Sequence, residues 1–459
     1  MTKTIAGPVM TGITFALNWY LQATSPIHDG NNISSARPPS TEYFDADYPL
    51  TPAYDETNAI FFNSDAVGAN DGSSYENGYT SETAALTALN GRAVGQRRLY
   101  ARGTFDIGST QIALSGLGGV GASGQEFIFQ ADPVNGCNIV SSNPIGEGGI
   151  EFGGQAHWII DGFNITGGGR IFSYFPGGTS VGGCDHMTFR NITGTMSIGG
   201  DNVGWLHMDT GAADYIGAFN CAVVGVGQTG FSTNTAVIFL SRVVHWRVQN
   251  CEMSNSLTGF YYKHFEAATY VPGAGVFKDN YIYDCSGNGG NDWAMHLACK
   301  GCTFENNIVV GRTQFAADGG GDDGADDNVF THNTLKGVVD LSELSGGALG
   351  NNLADNIIDG NLLILPDQGV IASTNILNYN LYSGTIRYQQ RAAETLAQWQ
   401  VDSVPANQDN NSLAGTPTYT GGANPTTIAG FALSGGTGVN AASDGTDMGA
   451  DVTTVGAAA

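Results

Sequence analysis

Basic residues are few. Lys and Arg number 17 in 459 residues, against 42 Asp and Glu, giving a formal net charge of -25. Such a chain repels nucleic acid and anionic membrane surfaces. Charged residues of either sign make up only 13%, which excludes a coiled coil or an exposed helical bundle. Long apolar runs are missing as well. The stretch "MTKTIAGPVMTGITFALNWYLQATSP" is interrupted by Pro, Gly, Thr and Asn, so it reads neither as a signal peptide nor as a membrane span. Synthesis and assembly in a cytoplasm are therefore expected. The seven Cys are odd in number and unevenly placed, unlike a disulfide framework. Cys299 and Cys302 form a CxxC with no second pair at zinc-ribbon spacing, and two buried thiols are expected there. No Walker loop, dinucleotide fingerprint or Ser-His-Asp elbow occurs.

What the chain has in quantity is glycine, with 67 copies, and 41% hydrophobic residues spread throughout. Asn recurs at 138, 164, 191, 220, 250, 280, 307, 333 and 361, at intervals of 26 to 30 residues. Later copies share a pattern in which an apolar residue stands three before Asn and another two after it: Phe277/Asn280/Ile282, Phe304/Asn307/Val309, Phe330/Asn333/Leu335 and Ile358/Asn361/Leu363. Earlier copies ("FRNIT", "AFNCA", "VQNCE") put the apolar residue directly after Asn, which suggests a one-residue shift. A period of this length means a stacked architecture. The apolar runs are short and bounded by Gly, Asn and Asp, so they read as strands rather than helices. Each coil then pairs with its neighbours at ~4.8 Å, and stacked Asn amides can bond in a ladder. All nine Asn are expected at one equivalent corner. Cys221 and Cys251 fall at matching points of successive repeats and are expected as stacked core thiols. Lys278 and Glu305 match likewise and suggest a surface ion pair.

These repeats, with "NSDAVGANDGSS", "LYARGTFDI", "FKDNYIYDC", "FENNIVV" and the late "DGTDMGAD", resemble the right-handed parallel β-helix repeat proteins of the pectate-lyase-like superfamily, over residues 61 to 385. The resemblance implies an all-β solenoid and, within that superfamily, is nearest to bacteriophage tailspike or fibre proteins. The expected organisation is an attachment segment at 1–58, a β-helix with its N-terminal cap at 59–385, and a C-terminal cap region at 386–459. "SETAALTALN" and "QQRAAETLAQW" are candidate capping helices. The implied function is binding of a host surface polysaccharide by a virion spike, with or without depolymerase activity. Residues 1–58 would contact other virion proteins, and three copies would form a homotrimer. The alternatives are a stand-alone polysaccharide lyase or glycoside hydrolase, including a secreted bacterial one, and a cellular β-helix adhesin or structural protein.

Counting back from the Asn positions, Asp292 and Asp318 each precede the next Asn by 15 residues, and Glu266 precedes Asn280 by 14. A row of carboxylates on successive coils could supply the acid and nucleophile, or acid and base, of glycoside cleavage. The bland alternative is three solvated turn acids. Tyr261, Tyr262 and Trp293 could stack on sugar rings. Lys263, His264, His296, Lys300 and Arg312 could serve a lyase as base or carboxylate partner. No cofactor is expected. Calcium is considered only at the Gly-rich acidic loop Asp318–Asp327, where oxygen ligands cluster without EF-hand spacing.

Overall fold

The computed structural model describes residues 47–93, 96–109, 112–114, 121–142, 149–174, 184–197, 199, 203–208, 213–227, 235–263, 275–285, 293–315, 325–341, 350–364, 375–388, 392–402 and 408–457. Short strands in this chain cannot bury their apolar side chains alone, so each lies parallel on the equivalent strand of the coils before and after it. The result is a right-handed parallel β-helix with three sheets. Its first two sheets are joined through the long strand Arg98–Gly108, which pairs with Phe127–Ala131 before the corner and Cys137–Ser141 after it. The third sheet contains eleven strands, from Ile112–Ala113 to Ile386–Tyr388. The interior is a continuous column of apolar side chains, with stacks such as Phe277, Phe304, Phe330 and Leu353 one above another.

From the strand Cys184–Arg190 to Ile376–Asn378, each coil turns from the first sheet to the second in two residues. The first has positive φ: Asn191, Asn220, Asn250, Asp279, Asn306, His332, Asp355 and Tyr379, all between 50° and 61°. Asn and Asp tolerate this conformation best among non-glycine residues. The second residue points inward, and the strand registers align Ile192, Cys221, Cys251, Asn280, Asn307, Asn333, Asn356 and Asn380 in one slot. Each Asn of this slot is buried and bonded both ways. Asn307 Nδ2 donates to the Phe277 carbonyl and to Asn333 Oδ1, both at 2.9 Å. Its Oδ1 accepts from the Asn280 backbone N–H at 2.9 Å and from Asn280 Nδ2 at 3.1 Å. The ladder begins beneath Cys251, whose N–H donates to Asn280 Oδ1 at 2.9 Å, and closes on Ser412 Oγ, 2.8 Å from the Asn380 nitrogen.

The single-corner expectation is thus corrected. Only Asn280, Asn307 and Asn333 of the nine occupy the ladder slot. Asn191, Asn220 and Asn250 are the positive-φ residues one place earlier, so the one-residue shift read from sequence is real. Asn138 and Asn164 pair on the exposed face of the second sheet, 3.0 Å apart. Asn361 lies at the next corner and accepts from Thr385 N–H at 3.0 Å. Asn356 and Asn380 are the ladder members that even spacing missed. A second amide ladder, Asn328–Asn351–Asn375, runs where the chain enters the first sheet. It starts beneath Cys302, whose N–H donates to Asn328 Oδ1 at 2.9 Å. All seven Cys are free and buried, so the CxxC belongs to the packing of this corner.

A helix, α1 (Glu82–Asn90), is N-capped by Ser81 and buries Ala85, Leu86 and Leu89 over the first coils. A second, α2 (Leu396–Asp402), begins later than the sequence suggested and closes the other end with Trp399, whose Nε1 donates to buried Asp409 at 2.8 Å. The described residues of the first segment lie along the first sheet. Tyr48 fills the space left by Gly217, where a Cβ would come within 2.8 Å of its ring. Tyr54 stacks on Tyr100 at 4.2 Å. Residues 418–457 fold back along the second sheet, covering Tyr281, Ile308, Ile357 and Leu381 with Tyr419, Phe431, Met448 and Val455. Their backbone binds the corner acids and amides: Gly449 N–H to the Asp355 carbonyl at 2.8 Å and Gly456 N–H to the Asp279 carbonyl at 2.7 Å. Lys278 Nζ meets Glu305 at 2.7 Å, the surface pair expected from their matching positions.

Replacing Asn307 by Ala strips buried N–H groups of their acceptor and is expected to cost about 2–4 kcal/mol. Asn164→Ala, on the exposed face, should cost under about 0.5 kcal/mol. Thermal or denaturant unfolding of the two variants side by side checks this; equal losses would contradict the ladder assignment.

Candidate functional site

In the third sheet, each strand carries one outward residue between two inward apolar ones: His207 between Leu206 and Met208, Phe239 between Ile238 and Leu240, His296 between Met295 and Leu297. The registers place His207, Phe239, Tyr261, His296, Gln314 and Asp340 in one outward row across six coils. Rings dominate its centre. Centroid separations are 4.6 Å for His207–Phe239, 5.0 Å for Phe239–Tyr261 and 4.5 Å for Tyr261–His296, the last two nearly coplanar in orientation. A bulge at Ala294 shifts the pairing between Trp293 and Met295. Such a bulge re-aims the side chain beside it, and Trp293 lies against the row, 4.3 Å from His296.

Charge gathers at the same point. Burial pushes the His296 imidazole down to about 3, and the cations Lys263 and Arg312 push in the same direction. His296 is therefore neutral at ordinary pH. Arg312 is ion-paired to Asp340, which is itself buried. Several shielded polar atoms here have no hydrogen-bond partner among the described residues: His296 Nδ1, Trp293 Nε1, Gln314 Oε1 and Arg312 Nε. Buried polar atoms are ordinarily bonded. The rings of His207, Phe239, Tyr261 and His296 are themselves buried, and the partly exposed members of the site are Lys263, Trp293, Arg312 and Gln314. Among the described residues, no group of three or more His, Cys, Asp or Glu could hold a metal ion.

Five of the residues expected from sequence are brought together: Tyr261, Lys263, Trp293, His296 and Arg312. Tyr262 is not among them. Neighbours in a strand face opposite ways, so its ring enters the core and its hydroxyl donates to the Val243 carbonyl at 2.8 Å. Lys300 sits away from the row, 3.7 Å from Asp327 and 4.0 Å from Asp326. That ion pair accounts for the described part of the acidic loop. His264, Glu266, Asp292 and Asp318 lie outside the described residues, as do Asp322 and Asp323. Sequence reasoning missed His207, Phe239, Gln314 and Asp340. Aligning the apolar-x-apolar triplets of the third sheet would have found His207, Phe239 and Asp340, whereas counting from Asn could not, because the connections into this sheet vary in length.

No family model matches the chain, and no curated protein resembles it in sequence. Among solved structures, the crystal structure of pectate lyase Pel9A is similar, with a TM-score of 0.51 and 14% identity. The match covers 85% of this chain and 95% of that one. The two share the parallel β-helix fold. Among the described residues, no helix is long and apolar enough to cross a membrane.

The depressed imidazole has a consequence for stability. An unfolded His takes up a proton near 6.5, while His296 resists protonation until about 3. Its contribution is therefore intact above pH 6.5 and is lost as pH falls through that window. His296→Gln should flatten the acid side of the stability profile, measured by thermal unfolding across pH. In the parent protein, the His296 ring should remain neutral by NMR near pH 5.

Proposed function

We propose that this protein binds an extended polysaccharide along the third sheet, with the partly exposed Trp293 as the sugar platform and the buried Tyr261–His296 stack as its support. The observation that carries this reading is the co-location of the partly exposed Trp293 ring with Gln314 and two partly exposed cations, Lys263 and Arg312. Sugar rings present apolar faces and hydroxyl edges, and this surface offers partners for both. The cations favour a glycan with acidic groups. Adjacent coils stand ~4.8 Å apart, close to the length of one sugar residue, so successive sugars can meet successive coils.

Within this reading, the chain serves as a bacteriophage spike or fibre that adsorbs to host surface glycan as a trimer, with residues 1–58 contacting the particle. The free, buried thiols support assembly in a reducing cytoplasm. The second reading is a stand-alone polysaccharide lyase or hydrolase. It is supported by the cations beside a neutral imidazole, and its carboxylates would come from Glu266, Asp292 and Asp318.

Trp293→Ala and Lys263→Met are expected to weaken binding to an acidic host polysaccharide by about tenfold or more, measured by calorimetry, while Tyr262→Phe leaves it unchanged. Rising salt should erode the Lys263 contribution first. Incubation with the same polysaccharide separates the activities: new reducing ends alone indicate hydrolysis, unsaturated products indicate elimination, and neither indicates adsorption. Absence of binding to any acidic glycan of the host surface would end the proposal.

A further inference from the structure

A second stack of rings lies on the first sheet, remote from the row just described. His157, His186, Tyr215 and His245 occupy equivalent places on four successive coils. Their centroids are 4.3, 4.4 and 4.4 Å apart and their planes within 20° of parallel. The first three have positive φ, at 58°, 53° and 52°. This unfavourable conformation for ring-bearing residues turns each out of the regular pleat so that the rings can stack. Carboxylates surround them. Asp214 Oδ1 is 2.8 Å from His245 Nδ1, and Asp185 pairs with Asp214 on the neighbouring strand. Burial and the Asp214 charge hold the Asp185 carboxyl above its usual range. Glu126 and Asp47 both act on His157, whose imidazole is held below its usual range chiefly by burial and then by His186.

The N-terminal segment docks on this stack. Asp47 Oδ1 is 3.7 Å from His186 Nε2. Tyr48 packs against Tyr215 and Phe219, at 6.3 and 5.8 Å. Buried Arg190 donates to the Tyr48 and Pro49 carbonyls, both at 3.0 Å. The Tyr48 and Arg190 contacts do not depend on pH in the histidine range, whereas the Asp47 contact does.

We propose that the His157–His186–Tyr215–His245 stack is a proton-controlled latch, in which one proton on His186 tightens the docking of residues 47–50 through Asp47. Two adjacent imidazolium rings at 4.3 Å would repel, so the His157–His186 pair takes up a single proton, and His186, beside Asp47, holds it. His245 answers to Asp214 at the far end of the stack. The latch is tight when His186 carries the proton and loose when it does not. It sits where residues 1–46 join the solenoid, so it sets how firmly that junction is held. This does not depend on the glycan reading.

Hydrogen exchange of the full chain, corrected for the intrinsic pH dependence, tests it on the amides of Tyr48, Leu50 and Thr51. Protection should be roughly two- to fivefold higher at about pH 5.5 than at about pH 8, the range of a half-exposed ion pair. Asp47→Asn and His186→Gln should abolish the difference, and His157→Gln should retain it. Asp47 stands at a half-exposed site, so Asp47→Asn leaves the core untouched. Protection that is indifferent to pH, that weakens in mild acid, or that responds equally in Asp47→Asn would overturn the latch.

Discussion

Stacking coils in parallel leaves a problem at each corner, where the chain reverses in two residues and the backbone N–H groups of the turn are carried into the interior. A buried N–H without an acceptor is costly. Here the inward Asn side chain of the next coil supplies that acceptor, and its own amide group reaches back to a carbonyl of the coil before. The bond is repeated from coil to coil, so each corner is held by its neighbour. Where the slot contains Cys221 and Cys251 instead, the thiols are buried and stacked, and the Cys251 backbone still bonds to the first Asn of the ladder.

With the corner fixed, the inward or outward direction of every strand residue follows. The row on the third sheet exists because Phe239, Tyr261 and His296 share one phase of the pleat, and Tyr262 falls in the other. Tyr261 and Tyr262 are chemically the same and adjacent, yet one stacks between Phe239 and His296 in the outward row while the other bonds to the Val243 carbonyl inside the core. The bulge at Trp293 adds a residue to that strand and turns the indole towards the row, and a strictly regular strand would not have placed it there.

The ends of the chain cover much of the remaining surface. Residues 47–56 run along the first sheet, and residues 418–457 run back along the second, held by the same corner residues, Asp279, Asn306 and Asp355, that make the turns. One set of side chains therefore closes the coil and receives the tail. The half-buried cations and Trp293 on the third sheet stand apart from both coverings.

The sequence by itself determined the architecture. A period of 26 to 30 residues, strands too short to stand alone, and Asn at the turn admit only a stacked coil, and the Lys278–Glu305 and Cys221–Cys251 matches followed from the same count. It also marked Tyr261, Lys263, Trp293, His296 and Arg312 as a group, because they crowd into three consecutive coils. The tertiary structure alone decided which Asn bond to one another. Coils of unequal length let an Asn recur at similar intervals while moving between the exposed strand, the left-handed residue and the inward slot, and only hydrogen-bonded register separates those places. The same uncertainty of register hid Gln314, which follows Thr313 rather than an apolar residue and joins the row solely by pairing with the strands beside it. Burial, finally, is a property of the packed molecule: the neutrality of His296 arises from its surroundings and its two cationic neighbours, none of which local sequence specifies.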